Sequence, residues 1–203
     1  MVCILGGIFI LIRNAEPDDA EQIVPLLSMI YDEMELEEFE SIPDEDPQRL
    51  IQQSFKHRSI LDIVATTLVA VENDNVIGVA FGYPNTNEDA VNRVFLDVAQ
   101  KIPSIKDADL FTDQEAAEDE FYLDSLAVDE NYRGYGVATK LIDEMAAHAN
   151  DLEYDTLGLN VDLANPKAEK LYRRLGFVEE SKIMIGDHQY RHMQVDSDTE
   201  MLV

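Results

Sequence analysis

A mixed α/β domain, one sheet with helices on its faces, is the fold class that the sequence predicts. Three observations point to it. Short apolar, β-branched runs alternate with segments of helical period. Gly, Asn and Asp turns separate them. The order is strand, two helices, two strands, an insert, then strand, helix, strand, helix and two strands. The chain's 203 residues suit one domain, and 46% hydrophobic residues suffice for a core.

Taken in order, Ile8–Arg13 reads as the first buried strand, and Met1–Gly7 as a leader outside the domain. Pro17 suits the first turn of a helix carrying Ile23, Leu26, Leu27 and Ile30, which Pro25 is expected to shorten or kink. Glu33–Glu45 is an acidic loop, and Asp46 caps a second helix through His57. Thr66–Val71 and Val76–Phe81 form a hairpin around Glu72–Asn75. Residues 85–120 are an expected insertion, with a helical face at Val91, Val94, Phe95, Val98 and Ala99 and a polar loop at Lys106–Asp119, placed to cover a pocket. Phe121–Val128 is a strand, followed by the loop Tyr132–Gly136 and a helix to Asn150. Thr156–Val161 is the next strand, Pro166–Leu175 a helix stopped by Gly176, and Val178–Ile185 and Gln189–Val195 the last two strands. The domain therefore spans 8–196, with Ser197–Val203 a frayed tail.

The formal net charge is -27, which argues against nucleic acid and anionic membrane partners, since Lys and Arg are too few to neutralise phosphates. The same field attracts a cationic substrate such as an amine, although solubility alone also accounts for it. One cysteine, Cys3, excludes an internal disulfide and makes a cytoplasmic location the default. His188 and His192 are evenly spaced on the last strands, but two histidines make no metal site, and no metal is expected. His57 and His148 read as surface helix residues.

Two motifs carry chemistry. Leu126-Ala127-Val128 leads into Arg133-Gly134-Tyr135-Gly136-Val137-Ala138-Thr139, a strand, a glycine loop and a helix start. Free amides at the positive end of a helix dipole form a pyrophosphate cradle, which Gly134 and Gly136 let a phosphate approach and to which Arg133 adds charge. Taken alone, two glycines are equally an ordinary turn. A Walker loop is excluded because Gly-Lys-Ser/Thr is missing, and a dinucleotide fingerprint because Thr139 stands at its third glycine. Downstream, Asn165, Ala168, Leu171, Tyr172, Gly176 and Phe177 form N-x-x-A-x-x-L-Y-x-x-x-G-F, separately explained as a core helix with a glycine stop.

Arg133-x-x-Gly136-x-Ala138 resembles the R/Q-x-x-G-x-G/A motif of the GNAT acetyltransferase superfamily, and Tyr122–Val128 and Asn165–Phe177 resemble the elements on either side of it. The likeness is close over Phe121–Glu179 and rests on element order elsewhere. It implies a mostly antiparallel sheet whose central parallel strands splay apart. It implies acetyl-CoA as cosubstrate, its pyrophosphate on the amides of Gly134–Thr139 and its pantetheine arm along Leu126–Val128. The Val128 amide would polarise the thioester carbonyl, Asn165 would bond the pantetheine, and Tyr172 would protonate the leaving thiolate. Tyr172 is alternatively a buried core donor. Glu120, Tyr122 and Asp124 alternate onto one face. Asp124 or Glu120 is the expected base, unless Asp124 only orders the strand or binds the substrate cation. Tyr31, Glu35, Glu37, Glu38, Glu40 and Tyr83 are expected around the amine, with Lys140 or Lys167 assisting Arg133. The acceptor is a primary amine of a small molecule or peptide, and a homodimer through Ile183–Ile185 is expected. The alternatives are a non-catalytic acyl-CoA sensor on the same fold and an acidic interaction protein.

Overall fold

The hairpin turn is the most local feature, and it forms as expected. Asn73 and Asp74 take φ of 49° and 64°, the left-handed pair that suits the twist of adjoining strands. The strands it joins, and the rest of the fold, are seen in a computed structural model that describes residues 2–5, 8–34, 43, 45–108 and 110–199. Its strands are β1 (Val2–Leu5), β2 (Ile8–Asn14), β3 (Thr66–Glu72), β4 (Asn75–Pro84), β5 (Phe121–Val128), β6 (Thr156–Asp162), β7 (Val178–Ile185) and β8 (His188–Asp196). The helices are α1 (Ala20–Met34), α2 (Glu45–Ser54), α3 (Glu88–Ala99), α4 (Val137–Asp151) and α5 (Pro166–Arg174).

The described strands form one eight-stranded sheet in the order β1-β2-β3-β4-β5-β6-β8-β7. Every neighbouring pair is antiparallel except β5 with β6. Alternation, reset by a bulge at Ile77 of β4, divides the side chains between two cores. Leu68, Ala70, Ile77 and Ala80 meet α4 residues such as Leu141 and Met145 on one face. Val69, Val71, Val79 and Phe81 meet Ile23 and Leu27 of α1, Phe55 after α2 and Phe95 of α3 on the other.

Several expectations are corrected. Val2–Leu5, expected outside the domain, pairs with Ile8–Leu11 as an outer strand of the sheet. Pro25 leaves α1 unbroken through Met34, because both it and Glu21 lie on the solvent side of that helix. Asp46 lies inside the first turn of α2 rather than capping it. Ser197 is buried, its N–H on Asp155 O at 2.9 Å and its Oγ on Tyr154 O at 2.6 Å, so the tail is held through this point. His148 is half-buried, bonded to Thr66 Oγ1 at 2.8 Å with its ring edge on Phe121, which lowers its pKa by desolvation. Ile185 is buried and turned inward, while Val178 and Met184 of the same outer strand are exposed. Residues 35–42 lie outside the described part, and with them Glu35, Glu37, Glu38 and Glu40; the side chain of Tyr31 does too. Among the described residues no helix is long and apolar enough to cross a membrane.

Candidate active site

The site begins where β5 and β6 part. Their parallel pairing covers only Phe121–Leu123 against Leu157–Leu159, and beyond it β5 continues alone beside β4. Asp129 N–H bonds Ile77 O of β4 at 2.9 Å. By alternation the amides of Leu126 and Val128 face the other way, into the gap. The side chains of Leu126 and Val128 border the α4 core together with Ala168, Leu171 and Tyr172 of α5. Tyr172 sits 5.7 Å from the Phe177 ring, and burial pushes its hydroxyl up to about 12.

The glycine loop sits at the end of this gap. Gly134 and Gly136 have φ of 82° and 87°, where a side chain costs about 1–2 kcal/mol of backbone strain. Gly136 is the N-cap of α4, and its carbonyl accepts from Lys140 N–H at 3.0 Å. The amides of Val137, Ala138 and Thr139 precede that first helical bond and lie at the positive end of the dipole. The side chains of Val137 and Thr139 are buried and anchor the turn, whereas Tyr135 is exposed. The exposed Arg133 lies by Val128 O, 3.3 Å from its Nε, and by Glu130 at 3.8 Å. Lys140 is engaged with Asp143 at 2.7 Å, and Lys167 is exposed. Asn165 caps α5, its Oδ1 accepting from Ala168 N–H at 3.1 Å. These groups fit a nucleotide pyrophosphate and an extended amide-bearing arm: an open loop at the positive end of a helix, and a strand edge not paired with β6 beyond Leu123.

On the opposite face of β5 lies a cavity of about 160 Å³. A β-bulge shapes it. Phe81 pairs with Ser125 and Gly82 with Leu123, so Asp124 is the extra residue. Asp124 and Ser125 therefore both face the cavity, and from Ser125 onward the alternation is inverted. Phe55, Phe81, Val91 and Phe95 line one end. Glu88, Asp113, Glu115, Asp124 and Tyr83 line the other. The loop 110–120 covers this end, held by Asp113 Oδ2, which accepts Gly186 N–H at 2.8 Å. Residues 85–120 supply much of the cavity wall, from Glu88, Val91 and Phe95 to Asp113 and Glu115.

Hydrogen bonds set each carboxylate. Asp124 accepts from Ser125 Oγ at 2.6 Å and Tyr83 Oη at 3.1 Å. Glu115 Oε2 accepts from Tyr122 Oη at 2.9 Å, and Glu115 N–H donates to Glu88 Oε1 at 2.7 Å. Asn160 Nδ2 donates to Tyr122 Oη at 2.9 Å and to Glu115 O at 3.0 Å. That leaves Asn160 Oδ1 to accept from His192 Nδ1, 2.9 Å away. Burial and then the charge of Asp124 push the Glu115 carboxyl up to about 8. Asp124 and Glu88 are raised as well, chiefly by desolvation.

The two expected bases separate here. Asp124 is in the cavity; Glu120 is not. Alternation does set Glu120 on the face of Tyr122, but its carboxylate crosses over Gly158 of β6, where an added Cβ would lie 1.8 Å from Oε2. It is fully buried and accepts from Ala117 N–H at 2.7 Å and Gln194 Nε2 at 2.8 Å, with His192 Nε2 at 3.0 Å. Its oxygens are occupied in holding the loop to β8 across β6. Glu115 and Glu88 went unnoticed in the sequence because acidic residues are common throughout it and neither lies in a motif. Among the described residues no group of three or more His, Cys, Asp and Glu is placed to hold a metal.

The model of the Acetyltransferase (GNAT) family matches residues 27–177. A crystal structure of an acetyltransferase is 33% identical, with a TM-score of 0.77, over 93% of this chain and 100% of that one. An N-acetyltransferase from Staphylococcus aureus Mu50 is 27% identical, with a TM-score of 0.75, over 91% of this chain and 100% of that one. The PaiA N-acetyltransferase from Thermoplasma acidophilum, solved in complex with coenzyme A, shares the fold at 17% identity and a TM-score of 0.56, over 92% of this chain and 98% of that one. Among curated protein sequences none matches.

Proposed function

The chain belongs to the GNAT acetyltransferase family, and from that premise we propose that it transfers an acetyl group from acetyl-CoA to the primary amine of a cationic acceptor. The observation that carries the acceptor side is the meeting of gap and cavity at one bulge. Asp124 is the first residue of β5 beyond its pairing with β6, and Asp124 and Ser125 line the acidic cavity.

On this reading acetyl-CoA supplies an activated acyl carbonyl on a thiolate leaving group. The amides of Val137, Ala138 and Thr139, with Arg133, hold its pyrophosphate, and Leu126 and Val128 align the arm. Val128 N–H points into the gap and polarises the carbonyl. The amine enters as an ammonium and must lose a proton before attack. The Glu115–Asp124 pair receives it: Tyr122 and Asn160 orient Glu115, and its raised pKa brings it closer to that of an amine. As the C–S bond breaks, Tyr172, kept protonated by an ordinary pKa that burial raises further to about 12, delivers a proton to the departing thiolate. The second proton shed by the acylated nitrogen restores the tyrosine.

Thermal unfolding with acetyl-CoA, ATP or NAD tests the cosubstrate. At about 100 times its dissociation constant a ligand of the folded state adds roughly 2.7 kcal/mol. Stabilisation by acetyl-CoA alone supports the reading, and an equal shift with ATP removes its main support. Tyr172→Phe is expected to lower kcat by about 10²-fold or more without weakening acetyl-CoA binding. Undiminished turnover would return Tyr172 to a core role.

A further inference from the structure

We propose that the acceptor is a compact amphiphilic amine, with an ammonium head among Glu88, Glu115 and Asp124 and a hydrocarbon or aromatic body against Phe55, Phe81 and Phe95. The proposal rests on the acetyl-transfer reading and names the substrate class of that same site. The cavity divides in two. One end is a cluster of rings packed edge to face, with Phe55–Phe81 centroids 5.3 Å apart and Phe55–Phe95 6.1 Å. The other carries the carboxylates, and no Lys or Arg is among the described residues lining the cavity.

The acidic end is built for a donor that the chain does not provide. Glu88 is 5% exposed, and while its Oε1 is held by Glu115 N–H, its Oε2 is buried with no partner. A buried acceptor left unpaired costs about 1–3 kcal/mol, and an ammonium with three N–H groups answers it directly. The same cation offsets the desolvation that raises Glu115 and Asp124, and at Glu115 also the charge of Asp124.

The ring end sets the rest of the molecule. A cavity of about 160 Å³ is on the order of ten times what one water needs, which suits a ligand of roughly ten non-hydrogen atoms. A polyamine would press a second ammonium against carbon walls, with a desolvation cost that nothing there offsets. A peptide brings amides to the same carbon walls, where nothing answers them.

The test uses the purified full chain with 2-phenylethylamine, spermidine and an alanine-initiated tripeptide. Without acetyl-CoA, 2-phenylethylamine alone is expected to raise the unfolding temperature. With acetyl-CoA, thiol release should give it a kcat/KM at least tenfold above the other two. Phe95→Ala should lower kcat/KM for 2-phenylethylamine at least ten times more than for ethylamine; Phe95→Leu serves if the alanine variant unfolds. Preference for spermidine or the tripeptide, or a Phe95 variant that lowers all amines alike, overturns the proposal while acetyl transfer stands. If no amine releases thiol, acetyl transfer fails, and the shift with 2-phenylethylamine alone still decides what the cavity binds.

Discussion

Asp19 and the Glu88–Glu115–Asp124 group are carboxylates withdrawn from water, and what differs is the presence of a cation. Asp19, at the corner between β2 and α1, takes Arg13 Nη1 and Nη2 at 2.6 and 2.9 Å and Glu16 N–H at 2.7 Å. Burial works against its charge, but those bonds prevail and hold it below the usual aspartate range. The cavity group receives only hydroxyl and amide donors, so burial prevails and its members are raised. A paired carboxylate locks a corner of the fold. Unpaired ones remain free to take a ligand's charge or proton, at some cost to stability.

The largest expected effect breaks the comparison on the cavity side. Glu115→Gln should lower kcat/KM for the amine by about 10²–10⁴-fold. The wild-type rate should rise with pH through about 8, as Glu115 gives up its proton, and the variant's profile should flatten. Thiol-release assays from pH 6 to 10 check both.

Stability against pH sharpens the contrast, because the two regions have opposite signs. Glu115 is raised from 4.5 to about 8, so between those values the folded state holds more protons than the unfolded one. Its contribution is full below about 4.5 and is lost as pH rises through about 8. Asp19 is lowered, so its contribution is present above the ordinary aspartate range and is lost as pH falls through its depressed value. Urea unfolding at several pH values should show Glu115→Gln removing part of the alkaline decline and Asp19→Asn part of the acid decline.

At neutral pH, Asp19→Asn should cost about 1–2 kcal/mol, because Arg13 is partly exposed and recovers some hydration. Calorimetry should read this as a drop of a few degrees in Tm. The smallest effect is Asn165→Ala, about 1 kcal/mol from loss of the α5 cap. A fall in acetyl-CoA affinity larger than that would assign Asn165 to the coenzyme as well.

The glycine loop was legible because it is local. Gly134, Gly136 and the start of α4 sit within a few residues of one another, and one stretch of backbone makes both the turn and the open helix N-terminus. The cavity side was half legible. Asp124, expected as a base or cation-binding residue, and Tyr83, expected around the amine, both line the cavity, whereas Glu120, grouped with Asp124 by strand alternation, does not. Alternation holds from Glu120 to Tyr122 but cannot show that Gly158 leaves room for the Glu120 carboxylate across β6. Nor does it foresee the bulge at Asp124, which depends on the register against β4.

Periodicity, turn residues and two motifs in order determine this protein's mixed sheet, its helices and the glycine loop before α4, because each depends on neighbours a few residues away. Which carboxylates are unpaired, and so available to an amine, was decided only in three dimensions. Glu88 on α3, Glu115 on a covering loop and Asp124 on β5 gain their chemistry from shared burial without a cation. Nothing in the identity of a single glutamate among 42 acidic residues encodes that.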